Sequence, residues 1–334
     1  MTWADEIWEH PMDTMRAAQF DAYGGPEVLH VATVDRPRAG AGEALIRVEA
    51  ASVNPHDLFT RSGAMKLVSG RKFPLGTGLD FSGVVVDPAP GNGIDVGAKV
   101  WGSVPAMKSH ATGTVAEYVV VTADRIGPRP PGLTASEAAG FVVAGTTAIR
   151  ALQDVAALQP GEKVLIRGAA GAVGLAAVRI AVALGASVTT LSSKRDLDLL
   201  RELGADQVLD YRTTRPDEIE RQDVIFDTAG TDLLSFRRRL TRRGRMVTIA
   251  FTSAAAFAAI GASAVFGPRR IRAFSSDAKR DLLDRLGEFV TTGVLRPDVA
   301  ATYGIDEIVA AHVAQESGGA RGKHVVVLPD LDGS

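Results

Sequence analysis

The chain has 334 residues, with 37 Lys and Arg against 39 Asp and Glu, 46% hydrophobic and 23% charged residues, and no cysteine. Such a length suits two domains of about 150 residues each, and a composition this ordinary excludes fibrous and disordered classes. A net charge of −2 argues against gripping nucleic acid or anionic membrane, which needs many cations; the lack of Cys excludes disulfides, thiolate nucleophiles and cysteine-held zinc, and fits a reducing cytoplasm.

Residues 1–14 contain Trp3, Trp8 and several acids but no basic segment before an apolar core, so they read as an extension rather than a signal peptide. Strand-length apolar runs follow at Arg16 to Phe20, Glu43 to Ala50, Gly83 to Val86, Lys99 to Trp101 and Ala116 to Val121. Turn punctuation such as Gly24-Gly25-Pro26 and Pro88 to Gly93 lies between them, which predicts a β-rich, barrel-like first portion. Pro128, Pro130 and Pro131 end that pattern, and Thr134 to Leu158 reads as one helix with Ser136-Glu137 near its start.

Strand and helix then alternate. Strands are predicted at Lys163 to Arg167, Ser187 to Leu191, Gln207 to Leu209, Val224 to Asp227 and Arg245 to Ala250, and helices at Ala172 to Leu184 and Asp196 to Leu203. Repeated βα units specify a parallel sheet with helices on both faces. Arg237 to Arg239 with Arg242 and Arg243 read as a solvated helix face and its end, and the Ala-rich run Ala254 to Val265, broken by Gly261, is too short to span a membrane. Helices at Ala278 to Thr291 and Ile305 to Glu316 and a strand at Lys323 to Leu328 complete the chain and suit either domain.

One loop carries chemistry. Val164-Leu165-Ile166 runs into Gly168-Ala169-Ala170-Gly171-Ala172-Val173-Gly174 and then an apolar helix. In a dinucleotide-binding turn, one small residue makes the bend, a second lets backbone N–H groups approach a pyrophosphate, and a third lets the helix pack on its strand. Ala169, Gly171 and Gly174 take those places. After the next strand the chain reads Ser192-Ser193-Lys194-Arg195, with no carboxylate until Asp196. Cations and hydroxyls at that point suit a ribose 2′-phosphate, so NADPH is the expected cofactor.

These residues resemble the medium-chain dehydrogenase/reductase superfamily, in its zinc-free quinone oxidoreductase and enoyl reductase branch. The resemblance runs from Met15 to Pro329 and is carried by Tyr23 to Leu29, Ala50 to Asp57, Leu79 to Val85, Ala116 to Val119, Gly145 to Ala148, Leu203 to Asp206 and Ala320 to Lys323. It implies a doubly wound Rossmann sheet (residues 138–276) inserted into a GroES-like, β-rich catalytic domain (residues 15–137 and 277–330). It further implies that Ser193 and Arg195, helped by Lys194, bind the 2′-phosphate, and that Tyr211 lies over the adenosine phosphate. Thr228, Ala250 and Phe251 would run under the nicotinamide ribose, with Thr147 and Asn54 near the nicotinamide. On their own chemistry, Tyr211 reads equally as a sheet-edge tyrosine and Asn54, before Pro55, as a turn former.

No metal site is expected, because Asn54 stands where zinc-dependent relatives carry Cys and Leu79 falls in their Gly-His-Glu region. What remains is hydride transfer from NADPH to a quinone or an α,β-unsaturated carbonyl, whose oxygen needs polarising. Asn54 is the candidate catalytic residue through its amide N–H. Tyr118 and His56 are weaker choices, and the segment holding Phe59, Arg61 and Met65 has no Tyr, leaving water as a proton source. An enoyl-thioester reductase and a non-catalytic NADPH-binding protein stay open. The resemblance also implies a homodimer joined at Rossmann sheet edges, through Ile271 to Phe274, and Phe59, Met65, Phe251, Phe257 and Phe266 suit either an apolar substrate pocket or plain core.

Overall fold

The computed structural model describes residues 14–66, 72–89, 91, 93–105, 112–250, 254–265, 269–275 and 277–329. The expected extension, apart from Thr14, lies outside the described residues, as do Phe251 and Phe266.

The first portion is β-rich, as its punctuated apolar runs require. In chain order it holds β1 (Thr14–Phe20), β2 (Leu29–Asp35), β3 (Glu43–Ser52), β4 (Leu75–Gly76), β5 (Asp80–Asp87), β6 (Lys99–Ser103), β7 (Tyr118–Thr122) and β8 (Ile126–Pro128). β1 pairs with β2 and β4 in a small sheet, while β3, β5, β6 and β8 run in sequence through a larger one that β7 joins at β3. The middle portion supplies β9 (Lys163–Arg167), β10 (Ser187–Ser192), β11 (Gln207–Asp210), β12 (Gln222–Asp227), β13 (Leu240–Thr248) and β14 (Ile271–Ala273). All five pairings are parallel, in the order β11-β10-β9-β12-β13-β14. The strand order reverses between β9 and β12, where the carboxyl ends of a doubly wound sheet open a ligand crevice. Strand β9 has four consecutive buried residues, as a strand covered on both faces must.

The last two strands, β15 (Val299–Gly304) and β16 (Lys323–Val327), return to the first portion, where β16 pairs antiparallel with β3. This split connectivity is the expected α/β class, a Rossmann sheet inserted into a GroES-like β-rich unit. A single apolar cluster joins the two units: Trp101 of β6 packs with Phe141, Leu152, Leu283 and Leu286. Among the described residues no helix is long and apolar enough to cross a membrane.

Three local expectations need correction, and the strand β15 is not among those expected. The stretch Thr134 to Leu158 is not one helix but Ala135–Ala139, Val142–Ile149 and a π-helical segment Arg150–Val155. Its interruption falls at Gly140, where β16 crowds the backbone: a Cβ there would lie 3.1 Å from Val325 Cγ2 and 3.3 Å from Lys323 Cβ. Gly261 does not break the Ala-rich run, which forms a continuous helix Ala254–Val265 with open space beside that glycine. Arg242 and Arg243 lie in β13 rather than on a helix, because the helix Leu233–Arg237 ends before them. β15, for which the Ala-Ala-Thr-Tyr run gives no strong local signal, is imposed by its partner β16.

Candidate functional site

The turn after β9 has the geometry a pyrophosphate needs. The positive backbone angle falls on Gly168 (φ 69°), and not on Ala169, so the alanine carries no strain. Gly171 then caps the helix Ala172–Ala183 with no side-chain hydrogen bond, so the first-turn amides of Ala172, Val173 and Gly174 have no partner within the helix. No acid occupies that turn. Space has been kept on one side and removed on the other: a Cβ on Gly171 would meet only Gly168 O, at 3.5 Å, whereas one on Gly174 would lie 2.3 Å from the same oxygen. Ala169 and Ala170 are buried beneath the turn.

A cavity of about 500 Å³ opens directly onto this turn. It is lined by Gly168, Ala170 and Gly171 together with Ser193, Arg195 and Tyr211, and also by Gly319 and Ala320, which precede β16 of the β-rich unit. Of the 2′-phosphate candidates, Ser193 and Arg195 therefore share one space with the glycine turn, and Lys194 is not part of its lining. Ser193 is half-buried and Lys194 is exposed, while Tyr211 is 52% exposed, with Arg212 4.7 Å above its ring.

At the foot of the cavity lies an ion pair that no motif announced. Arg167 and Asp227 end adjacent strands in matched register, are both buried, and meet at 2.5 Å. Asp227 also accepts the amides of Ala229 and Gly230 and the Thr248 hydroxyl, and the Arg167 guanidinium lies 3.6 Å from the Phe236 ring centre. Burial lowers the Arg167 pKa, and the carboxylates Asp227 and Asp232 oppose that shift. A charged residue closing each of two strands after an apolar run, Val-Leu-Ile before Arg167 and Val-Ile-Phe before Asp227, is the signal that would have found the pair. Thr228 follows as a turn support, its hydroxyl donating to Arg167 O at 2.8 Å, and Ala250 packs its carbonyl against Gly230.

Asn54 does not offer its amide to a substrate in this geometry. Its Nδ2 donates to Asp80 Oδ1 at 2.9 Å and to Ser52 O at 3.3 Å, and its Oδ1 accepts from Lys323 Nζ. Asp80 is fully buried and also takes the Ser52 hydroxyl at 2.6 Å and the Val143 amide at 3.1 Å. Through Val143 the network reaches the helix that carries buried Thr147. Tyr118 belongs to a small separate cluster with Met15, Ala17 and Ala116, stacked under Arg36, which fixes it as structural.

Asp57 completes this cluster, accepting the Asn54 amide at 2.7 Å and the Gly78 amide at 3.0 Å. Burial pushes its carboxyl up to about 7, against the opposing effect of those amides and of Lys323. Burial likewise lowers the Lys323 pKa, with Asp80 and Asp57 opposing. A carboxyl whose folded pKa lies above its unfolded value stabilises fully below the unfolded value, and that stability drains away as pH rises through the folded one. Denaturant titrations should therefore show the wild type losing stability relative to Asp57→Asn from about pH 4 to about pH 7 and levelling off above that, with a slope approaching about 1.4 kcal/mol per pH unit in between. Parallel pH profiles for the two proteins would contradict it.

A Rossmann sheet with an open phosphate turn, docked on a β-rich unit that lines the same cavity, defines a nucleotide-dependent dehydrogenase or reductase. Comparisons with known proteins agree: the alcohol dehydrogenase GroES-like domain model matches residues 40–131 and the zinc-binding dehydrogenase model residues 203–326. The mitochondrial NAD(P)H oxidoreductase RTN4IP1 of Mus musculus is 32% identical over 93% of this chain and 89% of its own. A chloroplastic quinone-oxidoreductase homolog of Spinacia oleracea is 34% identical over 70% of this chain and 74% of its own. The structure of the quinone oxidoreductase from Coxiella burnetii superposes with a TM-score of 0.84 at 31% identity, covering 95% of this chain and 100% of that one. The chain belongs to the quinone oxidoreductase branch of the medium-chain dehydrogenase/reductase superfamily, and is an oxidoreductase that uses a nicotinamide cofactor.

Proposed function

We propose that this oxidoreductase reduces a quinone or an activated alkene with NADPH and without zinc. The observation that carries the reading is the cavity that Gly168, Ala170 and Gly171 of the glycine turn share with Ser193, Arg195 and Tyr211. Residues of these types suit a pyrophosphate and a 2′-phosphate, and the open side of Gly171 leaves room for them. When bound there, NADPH supplies a hydride. The chain's own part is to hold the nucleotide and to shape the cleft. Asn54, committed to Asp80 and Lys323, acts as a positioning residue, and solvent supplies the proton.

Zinc independence is supported by the donor set. Among the described residues no group of three or more His, Asp or Glu is placed to hold a metal, and Asn54 is occupied by Lys323. Reductase activity should stay within about twofold when a strong zinc chelator is added; loss of activity on chelation would reverse this part of the reading.

Substrate class is tested by following NADPH oxidation with a small benzoquinone, an enone and a crotonyl thioester. Turnover of the first two is expected. Activity confined to the thioester would make the protein an enoyl-thioester reductase, and tight NADPH binding with no turnover of any acceptor would make it a binding protein. A homodimer through the exposed edge of β14, the last strand of the Rossmann sheet, is also proposed; a monomer by sedimentation at micromolar concentration would end that. The cysteine-free sequence supports a reducing compartment such as the cytoplasm.

A further inference from the structure

Two carboxylates line the cavity, Asp196 and Asp232, and Asp196 is the one that follows Ser192 and Ser193 just past the carboxyl end of β10. A carboxylate near that strand end is what recognises the two free ribose hydroxyls of NADH and repels the phosphate of NADPH. Its presence beside Ser193 and Arg195 is a contradiction within the site, and the catalytic unit resolves it. Arg321, 125 residues away in sequence, reaches across the domain boundary and donates Nε to Asp196 Oδ1 at 2.7 Å. The same guanidinium donates to the carbonyl of Arg195. On its other oxygen Asp196 takes the Ser193 hydroxyl at 2.7 Å and Arg195 Nε at 3.5 Å.

We propose that Asp196 is a ribose-recognising acid held silent by Arg321, so that preference for the phosphorylated nucleotide is set by an ion pair between the two units. The inference rests on the NADPH reading above and adds the residue that decides it.

The geometry separates the charges as this role needs. Asp196 is 4% exposed by its side chain, whereas Arg195 is 59% and Arg321 49% exposed, so the carboxylate lies behind its cations. Both arginines use Nε on Asp196. The Arg195 Nη groups meet no acceptor among the described residues and lie against the backbone of Gly319, where a Cβ would be 2.6 Å from one of them. Burial alone would raise the Asp196 carboxyl, yet the hydrogen bonds from Arg321 and Ser193 and the nearby arginine charges hold it below the usual carboxylate range. It stays ionised and neutralised, and without Arg321 it would face the cavity with one distant cation. Arg321 is thus a positioning residue acting through Asp196, and further ties hold its segment in place: Gly322 bridges Gly171, and Arg179 pairs with Asp298 at 2.5 Å.

The test is fluorescence titration of the full chain with NADPH and with NADH. Wild type should prefer NADPH. Arg321→Ala should bind NADPH at least tenfold more weakly while NADH stays within twofold or tightens; Arg321→Lys should keep the wild-type preference. Adding Asp196→Asn to Arg321→Ala should restore much of the NADPH affinity, because the uncovered carboxylate is then gone. Equal losses for both nucleotides in Arg321→Ala, or no recovery in the double variant, would overturn the inference alone. A wild type without NADPH preference would overturn the cofactor reading and this inference with it. If Arg321→Ala does not fold, Arg321→Gln replaces it under the same criteria.

Discussion

Gly171→Leu should lower NADPH affinity by at least 100-fold and leave the fold standing, while Gly174→Ala, a far smaller change three residues on, should damage the fold itself. Gly171 has extended backbone angles (φ −73°, ψ 164°) that any residue adopts, and only Gly168 O lies near its missing Cβ. Losing glycine as a helix cap costs about 1 kcal/mol or less. A leucine side chain there, however, would occupy part of the cavity that Gly171 lines, next to the first turn of the helix, and a 100-fold loss corresponds to about 2.7 kcal/mol of binding. At Gly174 a Cβ would sit 2.3 Å from Gly168 O and 2.7 Å from two Ala169 backbone atoms. Backbone cannot swing aside as a side chain can, so the helix must lift from its strand, at a cost of about 3 kcal/mol. Nucleotide titration and thermal unfolding of both variants separate the two effects. If Gly171→Leu binds NADPH within threefold of wild type, this turn does not hold the pyrophosphate.

That contrast also marks what the sequence made legible. The strand Lys163 to Arg167, the glycine turn and the following helix are a local pattern, since the residue types that announce them are contiguous in the sequence, even though the strand pairs with β10 and β12. Ser193 and Arg195 were readable for the same reason, by their place just after the second strand. The features that escaped are long-range. Asp196 seemed merely late for an acid that reads ribose, because its partner Arg321 is 125 residues away. Asn54 looked like a free amide because Lys323, 269 residues on, is what occupies it. The helix break at Gly140 likewise depends on β16 arriving from the chain's far end. Arg167 and Asp227 were the exception: each closes a strand after an apolar run, and a buried charge in such a place demands a partner.

Replacing Lys323 with Met should destabilise the protein by about 3 to 5 kcal/mol, because it strands buried charge. Lys323 is 4% exposed; its Nζ donates to Val53 O at 3.1 Å and to Asn54 Oδ1, and it is the cation shared by Asp80 and Asp57. Its loss leaves Asp80 with three neutral donors and Asp57 with two backbone amides, none carrying charge. The penalty should depend on pH in a definite sense. Lys323 lowers the Asp57 pKa, so without it that carboxyl, already raised to about 7 by burial, rises further. At pH 5 Asp57 takes up a proton in either protein and escapes much of the cost; at pH 8 the variant must bury an uncompensated carboxylate or bind a proton against the solution, so the penalty is largest there. Adding Asp57→Asn should remove the pH-dependent part, with a coupling of about 1 to 3 kcal/mol in the double-mutant cycle. Because Lys323 follows Gly322, whose backbone bridges Gly171, the same substitution should loosen the phosphate turn and weaken NADPH binding. Denaturant titrations of the four proteins at pH 5 and pH 8 would decide: a cost below 1 kcal/mol for Lys323→Met, or one equal at both pH values, would mean that this ammonium is not what balances the two acids.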